Sequence, residues 1–366
     1  MVSEPTVDLN AVLAHYDLGE LEAQSRDQRG TVNTSFAIEL VKDGRRSKYF
    51  LRRYRHGIGV EEILFEHTLI EHVSRQGTCP IAQVQRTRHG STFLELPGGD
   101  ASQPLAYFAI FDFLPGEDRY TWVGPQCTPG ELHNAGDLLA RFHAAVRSLQ
   151  PAGRRAEPSI IELLPVISDK WAGAPGLSKG TEFDDCVADH FSEVQASIVE
   201  TLSALRDPGI GSFPELIIHS DYHPGNLKFE GEEISGLVDF DWAKVDLRAF
   251  DVGLAAWYFC ASWEQASDGA LRLRDLGTFV SAYQARLSAS RELTALGADE
   301  LQLLPDLIQA GNVYILYWTL RDYFCKQVNP AEYLVYLKHN LHSSRWLQSA
   351  DNRRQVQALL AELPAG

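Results

Sequence analysis

Between Leu216 and Gly253 the chain reads L-I-I-H-S-D-Y-H-P-G-N-L-K-F-E-G-E-E-I-S-G-L-V-D-F-D-W-A-K-V-D-L-R-A-F-D-V-G, and this stretch constrains the fold more than any other. Two apolar runs each end on polar residues with chemical capability. His219, Asp221 and Asn226 follow the first, and Asp239 follows the second, thirteen residues beyond Asn226. A short loop between strands can aim Asp221, Asn226 and Asp239 at one point. A helix carrying the same spacing would turn Asp221 and Asn226 to different faces. The pattern therefore calls for a strand–loop–strand framework.

The residue types suit phosphoryl transfer. That reaction needs a carboxylate to orient the attacking hydroxyl and accept its proton, and an Asn and a second carboxylate to hold the Mg²⁺ that offsets triphosphate charge. H-S-D-Y-H-P-G-N, then V-D-F-D-W-A, then F-D-V-G-L-A resembles the aminoglycoside phosphotransferase/choline kinase/homoserine kinase superfamily of small-molecule kinases. Ser220 stands where Gly is common, and His223 is the second histidine of the loop. The resemblance implies an α+β, bilobal protein-kinase-like fold with a small β-rich N-terminal lobe, 1–113, and a larger, mainly helical lobe, 114–366. It implies Asp221 as the catalytic base or hydroxyl-orienting group and Asn226 and Asp239 as Mg²⁺ ligands. ATP is the implied donor. His219, His223 and Asp251 support the loop, Asp251 by backbone hydrogen bonds and as the N-cap of the following helix.

Composition fits a folded enzyme, with 45% hydrophobic and 22% charged residues. No apolar run reaches the roughly 18 residues of a membrane helix, so no membrane partner is expected. The opening M-V-S-E-P-T-V-D-L-N lacks the character of a signal or transit peptide. The five cysteines form no paired or zinc-type spacing, which points to reduced thiols in a cytoplasm. The net charge of −16 argues against nucleic acid as a partner. Most of the acidic excess lies beyond residue 120; it reads first as a solubility feature and, more sharply, as an attraction for a cationic acceptor. Nothing in the sequence signals an oligomeric state.

The remaining parts follow in order. Asp8–Tyr16 reads as a short helix, then a polar segment runs to Arg29. Alternation in S-F-A-I-E-L-V and S-K-Y-F-L-R-R-Y reads as a hairpin turning at Asp43-Gly44. Gly30, Thr31, Asn33, Thr34 and Ser35 precede it, at the place of a phosphate-covering loop. Arg52 holds the position where a protein kinase carries its strand lysine, and Arg can grip phosphate bidentately. Val60–Gln76 is an amphipathic helix whose Glu66 is the expected partner of Arg52. The apolar run ending at Phe111, Asp112 and Phe113 resembles the connector between lobes, where main-chain groups meet adenine. His143, alone on an apolar helix face, reads as a core histidine. In the helical C-terminal third, aromatic residues include Trp257, Tyr258, Trp263, Tyr314, Tyr317 and Trp318. Trp257 and Trp318, with Asp241 and Asp322, are the expected acceptor-binding residues. The acceptor is expected to be a small hydroxyl compound, homoserine-like or an amino alcohol first, an aminoglycoside second and a protein Ser/Thr third. A non-catalytic nucleotide-binding module is the reading from a different class.

Overall fold

The computed structural model describes residues 8–27, 33–100, 103–206 and 208–364. The chain divides into two units. The first comprises Met1–Gly116 with Leu149–Ala156 and Ser235–Val238, and the second comprises Glu117–Ser148, Glu157–Ile234 and Asp239–Gly366.

The first unit opens with helix α1 (Leu9–Leu13), capped by Asp8, whose carboxylate accepts from the N–H groups of Asn10 and Ala11. Strands β1 (Glu20–Asp27), β2 (Thr34–Lys42) and β3 (Arg45–Arg53) follow, then helix α2 (Val60–Gln76) and strands β4 (Leu94–Asp100) and β5 (Gln103–Asp112). All pairings in the sheet are antiparallel, in the order β1-β2-β3-β5-β4. Asp43 and Gly44 both take positive φ, 51° and 75°, so the β2–β3 turn matches the right-handed twist of its strands. Leu9, Val12, Leu13 and Tyr16 of the α1 segment pack on Ile38, Leu40, Leu51, Phe108 and Ile110 of the sheet.

Two expectations need correction here. The polar segment before Arg29 contains β1, an edge strand whose side chains from Glu22 to Arg26 face solvent. It therefore shows no apolar alternation to read. Thr34 and Ser35 belong to β2, paired with Arg53 and Arg52, and are not part of a loop.

The second unit is mostly helical. It contains α3 (Pro129–Val146), α4 (Ile160–Gly173), α5 (Glu182–Asp189) and α6 (Phe191–Ala204). After β6 (Glu215–Ile218), β7 (Leu227–Glu230) and the start of β8 (Glu233–Leu237), whose residues from Ser235 on belong to the first unit, β9 (Lys244–Leu247) pairs antiparallel with β6. Helices α7 (Arg248–Cys260), α8 (Leu273–Ser288), α9 (Ala298–Cys325), α10 (Pro330–Gln348) and α11 (Ala350–Ala361) complete it. Every residue of α7 is buried. Its crossing with α9 is close because both contact points are glycines. A Cβ at Gly253 would stand 2.8 Å from the Leu307 carbonyl carbon, and one at Gly311 would stand 2.9 Å from the Leu254 Cα. A buried bidentate pair, Arg248 to Glu300 at 2.9 and 2.7 Å, ties the first turn of α7 to that of α9. No helix among the described residues is long and apolar enough to cross a membrane.

Candidate active site

The loop after β6 is pinned from behind. Asp251, fully buried in the first turn of α7, accepts the His219 N–H through Oδ2 and the Ser220 N–H through Oδ1, each at 2.9 Å. It does not cap the helix: Leu247 is the N-cap, and the carboxylate is turned to the loop. His143 of α3 reaches the same Oδ2 through Nε2 at 3.0 Å, while its Nδ1 meets the Tyr283 hydroxyl at 2.8 Å. The histidine that reads as plain core thus braces the anchor of the loop, and only the distant pairing with Asp251 reveals it.

Ser220 adopts φ 62°, and Asp239, just past β8, adopts φ 66°. Both loops therefore bend through the left-handed region at non-glycine residues. That costs about 1–2 kcal/mol each, and such strain gathers at functional sites. It also explains why Gly suits position 220.

Asp221 is the centre of the arrangement. Oδ1 accepts the Tyr258 hydroxyl at 3.0 Å. Oδ2 accepts Asn226 Nδ2 at 3.2 Å and lies 3.6 Å from His223 Nε2. The Gly225 N–H donates to His223 Nδ1 at 3.0 Å, so the neutral ring carries its proton on Nε2, facing Asp221. Gly225 is required at that place, because a Cβ there would lie 2.8 Å from His223 Cε1. Asn226 Nδ2 also donates to the Asp221 carbonyl at 2.8 Å. Burial works to raise the Asp221 pKa. The polar His223 ring, the nearby His219 and the Tyr258 hydroxyl outweigh it and hold the carboxyl below its ordinary value. Tyr258 is pushed the other way, well above the usual phenol range, by burial and then by the Asp221 charge. It therefore stays protonated as a donor.

The donor set suits a hard cation. Among the described residues no group of three His, Cys, Asp or Glu could hold a metal alone. Both contacts of Asn226 use its nitrogen, leaving Oδ1 as the amide atom for coordination. Mg²⁺ is commonly bound by one or two protein oxygens, with phosphate and water completing its shell, and the Asn226 amide oxygen is of that kind.

In the first unit, Arg52 Nη1 donates to Glu66 Oε1 at 2.9 Å, and the Tyr54 hydroxyl donates to Glu66 Oε2 at 3.0 Å. Glu66 is 2% exposed. The Arg52 guanidinium also lies 5.6 Å from the Phe111 ring centre. Asn33 Oδ1 accepts the Arg55 N–H at 2.8 Å. Gly30 and Thr31 lie outside the described residues. The connector differs from expectation. The Asp112 N–H donates to the Gln83 carbonyl at 2.9 Å, and Phe111 pairs with Phe50 in the sheet. The Asp112 N–H is therefore already engaged, and Phe113 lies beyond the strand end.

The aromatic expectations also shift. Trp257 is 1% exposed and packs on Tyr258 and His339, a core position that presents no binding face. Trp318 is half-buried against Trp242, with Arg321 stacked over it at 4.4 Å. Asp322 is paired with Lys326 at 2.8 Å, which offsets the charge expected to attract an acceptor. Asp241 is half-buried. The rings adjoining Tyr258 include Trp122, centred 6.3 Å away. Trp122 in turn touches Trp263 and Tyr336, at 5.5 and 4.6 Å. Trp122 and Tyr336 escape sequence reading because neither adjoins a motif.

The model of the phosphotransferase enzyme family matches residues 26–290. The chain belongs to that family. It is 28% identical over 348 residues to a homoserine kinase of Bradyrhizobium sp. (strain ORS 278), covering 90% of this chain and 92% of the relative. Among solved structures it is similar to the microcompartment-associated aminopropanol kinase, with TM-score 0.66, 17% identity and coverage of 95% and 98% of the two chains. It is also similar to an amicoumacin kinase in complex with AMP-PNP and Ca²⁺, with TM-score 0.62, 16% identity and coverage of 97% and 96%. The bilobal kinase-like fold and the superfamily resemblance hold. The protein is a phosphotransferase of the kinase class with an alcohol group as acceptor.

Proposed function

We propose that this phosphotransferase moves the γ-phosphoryl group of ATP to the hydroxyl of a small, amine-bearing molecule, homoserine-like or an amino alcohol. The observation that carries the reading is the Asp221 carboxylate. It is held by three neighbouring side chains on a loop pinned by Asp251, yet its own side chain keeps 22% exposure. In this reading Asp221 orients the acceptor hydroxyl and takes its proton. Asn226 Oδ1 and Asp239 would hold Mg²⁺, which would offset charge on the phosphates. Arg52, fixed by Glu66, supplies a guanidinium to phosphate oxygens, and Asn33 stands beside the segment that would cover them.

The acceptor class is supported by the homoserine kinase relative and the aminopropanol kinase neighbour, and by the net charge of −16. Trp122, Trp263 and Tyr336, rather than Trp257, offer aromatic faces near Tyr258. A cation on such a face gains about 0.5–2 kcal/mol. The test is a coupled ADP-release screen with Mg·ATP over amino alcohols, hydroxy amino acids and aminoglycosides. Turnover concentrated on short amine-bearing alcohols is expected. Preference for a neutral or anionic hydroxyl compound would overturn the acceptor class. Nucleotide binding without turnover on any acceptor would favour a non-catalytic module.

A further inference from the structure

An ionised carboxylate offers about four lone-pair sites, two on each oxygen. At Asp221 they are unequally crowded. Oδ2 accepts Asn226 Nδ2 at 3.2 Å and has His223 Nε2 beside it at 3.6 Å, just outside hydrogen-bond range. Oδ1 faces one, the Tyr258 hydroxyl at 3.0 Å. The site left for an incoming hydroxyl is on Oδ1, beside the Tyr258 bond. Tyr258 is itself closely packed. It lies in a fully buried helix, with its ring packed by His223, Trp257 and Trp122 at 5.0, 5.4 and 6.3 Å between centres.

We propose that Tyr258 is a positioning residue for the phosphoryl transfer: its hydroxyl locks the Asp221 carboxylate so that the acceptor hydroxyl is received at Oδ1. This rests on the reading of Asp221 given above. The terminal torsion of Asp is broad and roughly two-fold. With donors on one oxygen only, the carboxylate would swing about that contact, and a donor on each oxygen removes the freedom. In the transfer, the acceptor O–H gives its proton to Asp221 Oδ1 as its oxygen bonds the γ-phosphorus. The bond from that phosphorus to the β,γ-bridging oxygen breaks, and its electron pair leaves on ADP. A second consequence concerns the acceptor. The Tyr258 hydroxyl has spent its one proton on Asp221, so it can only accept further bonds. An ammonium group next to the reacting hydroxyl meets an acceptor oxygen there, not a competing donor.

The experiment is a double-mutant cycle with Tyr258→Phe, Asp221→Asn and the double variant. Steady-state kinetics are measured with Mg·ATP and with L-homoserine and 1-amino-2-propanol as probe acceptors. Phe keeps the ring and its packing, and far-UV circular dichroism with a nucleotide thermal shift verifies the fold. Tyr258→Phe is expected to lower kcat about ten- to a hundredfold, the scale of small misplacements of a reacting group. KM for ATP stays within about twofold, and the loss vanishes when Asp221 is already Asn. Full kcat in Tyr258→Phe, or an equal loss in both backgrounds, overturns the assignment and leaves the proposed function intact. Wild-type protein that turns over neither probe overturns the proposed acceptor class and this assignment with it.

Discussion

Asp251→Asn is the sharpest probe of how the active loop is held. The carboxylate accepts two backbone N–H groups, one on each oxygen, and a third contact from His143, and Asp251, His219 and His143 are all fully buried. An amide has a single acceptor oxygen. Whichever way it is flipped, its NH₂ group faces a donor, either the His219 or the Ser220 N–H. One hydrogen bond to a charged acceptor is lost, worth about 1.5–3 kcal/mol, and a buried donor is left unsatisfied. Together these give an expected loss of about 2–4 kcal/mol, against a typical total stability of about 5–15 kcal/mol. The variant should therefore still fold, but with a clearly lower urea midpoint at unchanged slope, and its kcat should fall because Asp221 adjoins the displaced backbone. Tyr283→Phe removes only the outer donor to His143 and should cost about 1 kcal/mol. If Asp251→Asn shifts stability by less than about 0.5 kcal/mol, the reasoning from paired backbone donors is wrong.

Three further outcomes are expected. Asp239→Ala should weaken nucleotide binding in magnesium but scarcely in EDTA, measured by calorimetry; equal loss in both would make Asp239 structural. Ser220→Gly should raise stability by about 0.5–1 kcal/mol, since relief of the left-handed φ exceeds the added freedom of the unfolded chain; a destabilised variant refutes the strain argument. Burial, and then the Arg52 charge, push His67 down to about 3. The unfolded chain, titrating near 6.5, therefore binds the extra proton first, and stability falls as pH drops from 6.5 toward 3. The loss at pH 5 comes to about 2 kcal/mol, visible as a drop in urea midpoint that His67→Gln should abolish.

The sequence made the strand–loop–strand core of the site legible because its spacing is set by chemistry over a short span. The hairpin at Asp43-Gly44 and the helix Val60–Gln76 were equally plain, since a turn dipeptide and an amphipathic face are local signals. β1 was hidden, because an exposed edge strand needs no apolar alternation. The helices α4 to α6 were not apparent from periodicity. His143 and Tyr258 show the harder limit. Each acts through a partner that tertiary folding brings to it, His143 through Asp251 108 residues away and Tyr258 through Asp221 37 residues away. No local pattern encodes such pairings. Trp257 misled for the opposite reason, since helical spacing of aromatics does not say which ring is buried.

Asp251 and Tyr258 stand seven residues apart on α7. Two turns of helix bring them within about 20° of the same face and about 10 Å apart along the axis. A single helix thus carries both the clamp on the loop backbone and the donor to the loop's carboxylate. Side chains between them can be exchanged where packing allows, but the number of residues cannot change. One inserted residue would swing Tyr258 by about 100° and advance it by about 1.5 Å, taking its hydroxyl away from Asp221 while Asp251 stayed in place. Insertions and deletions in this part of the chain should therefore be tolerated only beyond Tyr258, in the irregular segment from Ser262 to Ala270 that precedes α8.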